Sequence, residues 1–159
     1  MNRFCSTASL ALAIMAVLGP AGSVAAGENL PFHGRLQGDV TRTIVPPLVV
    51  VDVEATGNAT HLGRFTLDVP HAVDPATRIA VGTYQFTAAN GDTIYAEFTG
   101  LATPTETPGV LYIEETATIT GGTGRFAGAT GSFVAERLYD MVAGTTIGSF
   151  EGTISTAGS

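Results

Sequence analysis

The sequence predicts an all-β protein, and three features carry this prediction. Apolar and polar residues alternate with a period of two, as in residues 49–54 and 111–114, which is the pattern of strands with one buried face. Thr, Val, Ile, Tyr and Phe, which strands prefer, dominate these runs. After residue 26, no segment keeps the i, i+3, i+4, i+7 apolar spacing of a helix for three turns.

Turn-forming residues divide the chain into eight expected strands. The first, at about 32–44, ends at Pro46-Pro47, and Thr56-Gly57-Asn58 separates the second strand from the third. Residues 70–77, which contain a proline, are expected to form a longer loop. From the third strand onward, the expected strands lie at about 59–69, 79–88, 93–100, 110–120, 132–139 and 145–154.

The connections between these strands indicate how they are arranged. Asn90-Gly91-Asp92 is a strong signal for a tight hairpin, and most other connections are short. Consecutive strands with short links favour an up-and-down order, and eight of them can close into a small antiparallel barrel without exposed edges. A two-sheet β-sandwich fits the same pattern and is the alternative.

The N-terminus has the order of features found in a secretory signal. A basic start at Met1-Asn2-Arg3 precedes an apolar run at 8–18 and the small residues of 21–26. The apolar run has about 11 residues, whereas a membrane span needs about 20. We therefore expect residues 1–26 to be a signal peptide rather than an uncleaved anchor, and 27–159 to form one secreted or periplasmic domain.

Composition after the signal limits the partners of the domain. Residues 27–159 contain no cysteine, so the domain depends on its core and not on disulfides. This segment has six Arg, no Lys and 14 acidic residues, so its net charge is 6 − 14 = −8. Such a balance argues against nucleic acid or anionic membranes as partners, because both need clustered cations. No later segment is long and apolar enough to span a membrane.

The glycine-rich segment Gly121–Gly131 contains an apparent nucleotide-binding motif. Residues 122–127 fit G-x-G-x-x-A, which binds a dinucleotide where a helix follows and points its amides at the pyrophosphate. No helix of ten residues fits before Phe133, and further glycines follow the motif. We therefore expect no cofactor here, and instead a connection between adjacent antiparallel strands with Phe126 in the core.

Three segments together resemble a known family. Residues 60–66, 88–92 and 121–133 are similar, in that order, to segments of bacterial secreted proteins with an allene oxide cyclase-like barrel. The resemblance implies an eight-stranded barrel related to allene oxide cyclases and dirigent proteins. The plant cyclases use a cysteine with a glutamate, and no cysteine follows residue 26 here. No catalytic residue of either family carries over, and a shared fold does not fix an activity.

Sequence motifs for metal or hydrolytic chemistry are missing. His33, His61 and His71 are widely spaced and share no ligand pattern, whereas a zinc site needs three or four converging ligands. The chain has no G-x-S-x-G nucleophile elbow. We therefore expect no metal site.

Glu115 and Arg137 are the candidate site residues. Strict alternation would put Glu115 on the apolar face of its strand beside Ile113, and Arg137 beside Phe133. Their strands are consecutive, so the two could pair inside the barrel and line a ligand site. The arrangement we favour is instead a β-bulge that turns Glu114 and Glu115 to solvent, because bulges are common in barrels.

These observations predict an exported barrel in which no residue pattern indicates an enzyme activity. We expect non-enzymatic binding of a small apolar molecule, or a structural or interaction role at the cell exterior, since small barrels can hold one ligand. The alternative is an isomerase or cyclase that acts on an apolar substrate by confining it in the barrel.

Overall fold

The computed structural model describes residues 27–156, which form nine strands and one short 3₁₀ turn. The strands are Leu30–Val45 (β1), Leu48–Ala59 (β2), Gly63–Asp68 (β3), His71–Asp74 (β4), Ile79–Ala88 (β5), Thr93–Pro104 (β6), Val110–Gly122 (β7), Thr130–Asp140 (β8) and Thr145–Ser155 (β9).

The strands form one closed antiparallel sheet. Neighbours along the chain pair with each other from β5 through β9, and β1 pairs with both β2 and β9. The short strands β3 and β4 share a single place, because each pairs with β2 on one side and β5 on the other. The result is an eight-stranded up-and-down barrel, as the sequence predicts, and the sandwich alternative is wrong.

Strand β4 lies in the segment that we expected to be a loop. Pro70 ends β3, since proline has no N–H to donate, but the chain then re-enters the gap between β2 and β5. Val69 keeps the register across this break, because its N–H and C=O both bond to Val53. The longer loop at 70–77 is therefore wrong, and the connection shortens to residues 75–78.

The expected break at residues 56–58 is also wrong. Strand β2 runs through it, and the turn falls at residues 60–62. A Cβ at Gly57 would lie 2.0 Å from the carbonyl oxygen of Arg35 on the neighbouring strand. This glycine therefore permits close approach of two strands, a role that resembles a turn signal in sequence.

One half of the barrel interior is filled by aromatic rings. They pack with centroids 4.9–6.2 Å apart, mostly edge-to-face or tilted, which is the geometry that the ring quadrupoles favour. The rings of this cluster, all buried, are those of Phe32, Phe65, Tyr84, Phe86, Phe133 and Phe150.

The connection from β7 to β8 closes this filled end. It contains a three-residue 3₁₀ turn, Gly124–Phe126, and joins adjacent antiparallel strands, as predicted. Phe126 is 2% exposed and belongs to the core, and Arg125 lies over its ring with 4.8 Å between guanidinium carbon and ring centroid. The segment thus acts as a plug, so ligand space inside the barrel must lie toward the other end.

Candidate functional site

Strand alternation brings Glu115 and Arg137 into the barrel interior. Every second residue of β7 from Glu115 to Ile119 is buried, and β8 behaves in the same way through Arg137. The register shift between β6 and β7 lies at Tyr95 and Ala96, which pair with Gly121 and Ile119. This position is at least four residues along β7 from Glu115. The bulge that we favoured at the two glutamates is therefore wrong, although Glu114 does face outward.

The two side chains form a buried, bidentate ion pair. Glu115 is 0% exposed and Arg137 4%. The Arg137 Nη2 donates to Glu115 Oε1 at 2.5 Å, and its Nε donates to Oε2 at 3.0 Å. The Tyr84 hydroxyl donates to the same Oε2. Paired charges that are fully hydrogen-bonded can remain ionised in an interior, so this cluster is a fixed dipolar layer.

Arg137 also spans toward β9. Its Nη1 donates to the Thr146 hydroxyl at 3.3 Å, and that hydroxyl donates to the Leu138 carbonyl at 2.9 Å. No buried side-chain nitrogen or oxygen among residues 27–156 lacks a hydrogen-bond partner. The polar layer is therefore internally satisfied and needs no ligand to complete it.

Two glycines make room for the ion pair. Gly100 lies opposite Glu115, and a Cβ there would come within 2.6 Å of the Glu115 Cγ. Gly148 lies opposite Arg137, and a Cβ there would come within 2.8 Å of the Arg137 Cγ. Inward-facing glycine across from a charged residue is the signal that sequence reasoning missed, because it becomes visible only once the strand register is known.

The environment fixes the protonation of the groups around the pair. Burial, strengthened by the neighbouring Glu115 carboxylate, raises the pKa of Tyr84 well above its ordinary value. Burial opposes the charge of Arg137, but the same carboxylate outweighs this effect and raises the pKa of Arg137. At neutral pH the tyrosine is thus a protonated donor and the arginine a cation.

A cavity of about 160 Å³ lies beyond the ion pair, toward the end of the barrel formed by the β1–β2 and β8–β9 turns. The side chains of Glu115 and Arg137 line it together with those of Arg42 and Arg78. Most of its wall is aliphatic: Val40, Val49, Val51, Val53, Val73, Ala80, Leu111 and Ile113. The interior is therefore half filled and half open, and we call this space the mouth cavity.

His71 lines the mouth cavity from β4. Its Nδ1 lies 2.8 Å from the Val69 carbonyl oxygen, which can only accept, so Nδ1 carries the proton. Its ring packs edge-on against Phe98 at 5.6 Å. Burial lowers the pKa of His71, so the ring is neutral at pH 7 and its Nε2 is an acceptor. Sequence reasoning missed this role of His71, because residues 70–77 were expected to form a loop.

The structure does not gather the three histidines. His33 is exposed on β1, and His61 lies in the β2–β3 turn with its Nε2 3.1 Å from the Pro31 carbonyl oxygen. No group of three or more His, Cys, Asp or Glu that could hold a metal is found within residues 27–156. The same stretch has no helix of the length and apolarity that crossing a membrane requires.

Comparisons with known proteins support the fold and leave the family open. No family model matches the chain, and no curated protein matches it. The chain is similar to a solved structure described as a pterocarpan synthase dirigent protein, with a TM-score of 0.59 and 15% sequence identity. The alignment covers 95% of this chain and 99% of that one. This similarity confirms that the barrel has the fold of a dirigent protein. Export and bacterial origin stay predictions, and the expected signal at 1–26 lies outside the described residues.

Proposed function

We propose that this protein is an exported, non-enzymatic binding protein that holds a small apolar molecule in the mouth cavity. The observation that carries the proposal is the division of the interior: aromatic rings fill one end, and an aliphatic space remains at the other. A dry apolar cavity of about 150 Å³ is large enough for a benzene-sized body. Ligand sites are typically apolar with a few placed polar groups, and this cavity has that character.

The hydrogen bonding of Glu115 favours binding over catalysis. Both carboxylate oxygens are engaged by Arg137, and Tyr84 donates to one of them. Three of the roughly four acceptor sites of a carboxylate are therefore occupied by fixed side chains of the protein. The layer would therefore serve as a rigid polar floor that orients a ligand.

The proposal is tested by filling the cavity. In Ala80→Phe, a ring would project from β5 into the space, whereas Val81→Phe, one residue on, would project outward from a position that is 54% exposed. We expect calorimetric binding of benzyl alcohol to the parent chain and to Val81→Phe, and no binding to Ala80→Phe. Equal binding by Ala80→Phe, or no uptake by the parent of this or other apolar probes, would contradict the proposal.

A second candidate is stereocontrol of a reaction by confinement, favoured by the buried carboxylate on the cavity wall. The solved neighbour is named a pterocarpan synthase dirigent protein, and confinement can select one folded geometry of a substrate. Product distributions from an unsaturated epoxide or a phenoxy-radical pair would change with the protein present. Glu115→Gln, shown to be folded by circular dichroism under the assay conditions, would remove the change, whereas the outward Glu114→Gln would not. Distributions equal to those in buffer would eliminate this candidate.

The location at the cell exterior is part of the same proposal. It rests on the order of features in residues 1–26. The intact mass of the protein recovered from its own host should correspond to a chain that begins at about residue 26 or 27. A full-length mass in the exported fraction would contradict cleavage.

A further inference from the structure

Half of the arginines among the described residues of this acidic protein line one cavity. The full chain has a net charge of −7 and no lysine, and residues 27–156 contain six arginines. Three of the six, Arg42, Arg78 and Arg137, line the mouth cavity. A cavity that collects half of the described cations in a negatively charged protein has an electrostatic character of its own.

Arg42 continues the interior row of β1 past the last fully paired part of the barrel. Phe32, Leu36 and Val40 alternate inward along this strand, and Arg42 is the next residue of the row but is exposed at the rim of the barrel. Its guanidinium carbon lies 5.9 Å from the centroid of the Tyr139 ring, and Nη1 lies 3.7 Å from the sulfur of Met141. These soft contacts hold the side chain at the cavity without neutralising it.

Arg78 approaches the cavity from the other side. Its backbone has a positive φ of 61° and is anchored by two hydrogen bonds: its N–H donates to the Asp74 carbonyl at 2.7 Å, and its own carbonyl accepts from the Ala102 N–H at 3.2 Å. The base of the side chain is therefore fixed. Within residues 27–156, no carboxylate forms an ion pair with Arg78 or with Arg42.

The remaining groups of the cavity do not cancel these two charges. Glu115 is the acidic residue of the lining, and it is neutralised by Arg137. His71 is neutral, because burial lowers its pKa. Of the nearby acids, Asp74 and Asp140 each accept backbone N–H bonds in their own turns, and Asp52 is exposed. Three arginines and one glutamate give the lining a net charge of +2, and none of these nearby acids forms an ion pair with Arg42 or Arg78.

We propose that the mouth cavity selects ligands that combine a small apolar body with an anionic group, such as a carboxylate, and that Arg42 and Arg78 are the specificity-determining residues. The inference rests on the proposed binding function and adds the chemical class of the ligand. The aliphatic wall takes the apolar body. The guanidinium groups take the anion, since their planar donor forks match a carboxylate and form charge-assisted hydrogen bonds.

Three probes that share a phenyl ring and differ in their polar group test the inference by calorimetry: benzoate, benzyl alcohol and protonated benzylamine. We expect benzoate to bind about tenfold or more tightly than benzyl alcohol, as charge-assisted hydrogen bonds imply, and benzylammonium to bind more weakly than both. Raising the salt concentration to about 0.5 M should weaken the binding of benzoate and leave that of benzyl alcohol unchanged, because salt screens partly exposed charges.

Charge-matched variants locate the effect. Arg42→Gln/Arg78→Gln should bind benzoate and benzyl alcohol with similar affinity. The control Arg35→Gln/Arg64→Gln loses the same charge from exposed positions outside the mouth cavity and should keep the preference. Thermal unfolding of both variants checks that they are folded.

The outcomes separate this inference from the proposed function. If benzyl alcohol binds as tightly as benzoate to the parent chain, or if the control variant loses the preference to the same extent, anion selection is wrong and apolar binding stands. If none of the three probes binds, both the binding function and its selectivity are overturned.

Discussion

At the scale of single residues, the stability of the fold depends on Glu115 and Arg137 being present together. Both groups are desolvated, and each satisfies the other. Breaking a buried pair leaves an uncompensated charge, which costs far more than the pair itself contributes relative to apolar residues. The intact pair thus adds little stability by itself, but the loss of either residue destabilises the wall of the cavity.

This reasoning predicts that Glu115→Gln lowers the free energy of unfolding by about 3–5 kcal/mol, because it leaves Arg137 buried without a counter-ion. Glu114→Gln changes a neighbouring carboxylate on the outer face and should stay within about 0.5 kcal/mol of the parent chain. Urea unfolding of the two variants measures both values. Similar stabilities would mean that Glu115 is solvated in solution.

His71 predicts a pH dependence of stability. Its pKa is lowered in the folded protein relative to the ordinary 6.5, so the unfolded chain binds more protons below that pH. The contribution is fully present above about pH 6.5 and is lost as the pH falls from there toward the folded pKa. His71→Asn retains a side-chain N–H donor for the Val69 carbonyl but does not titrate.

The comparison of these two proteins isolates the effect of His71, because they share every other ionisable group. Between pH 7 and 5, the free energy of unfolding of the parent chain should fall more than that of His71→Asn. Parallel curves would show that the imidazole is as accessible to protons in the folded as in the unfolded state.

At the scale of elements, the strands could be predicted from the sequence and some of their boundaries could not. Alternation identified the strands that hold the core, because a period of two is a direct consequence of the pleat. It failed at Gly57, where a glycine serves close packing, and at β4, where four residues after a proline carry too little pattern to detect. Both errors arose where tertiary contacts decide a local structure.

The role of the β7–β8 connection can be tested by shortening one side chain. Phe126 is 2% exposed and packs into the core from the 3₁₀ turn, so Phe126→Ala should leave a cavity and destabilise the fold by about 3–5 kcal/mol. Val142→Ala, at a loop position that is 88% exposed, is the control and should be near neutral. A neutral Phe126→Ala in denaturant unfolding would mean that the aromatic ring does not plug the barrel.

At the scale of the whole molecule, closure of the sheet creates the candidate site. The sequence predicts eight strands and an interior carboxylate as one alternative, but not that the interior is filled at one end and open at the other. The contrast between the filled and the open end depends on which interior residues lie at the same height along the barrel axis. The aromatic rings gather at one end of the barrel and the aliphatic side chains of the mouth cavity at the other, and this grouping requires the register of all the strands.

The central claim is that a small apolar molecule occupies the open half of this barrel. The most direct measurement is an NMR titration of methyl-labelled protein with benzyl alcohol. We predict saturable shifts of the methyl groups of Val51, Val53 and Val73, which line the mouth cavity, and no comparable shifts at the outward-facing Val81 and Val134. Shifts confined to the outward methyl groups, or none at saturating probe, would contradict the claim.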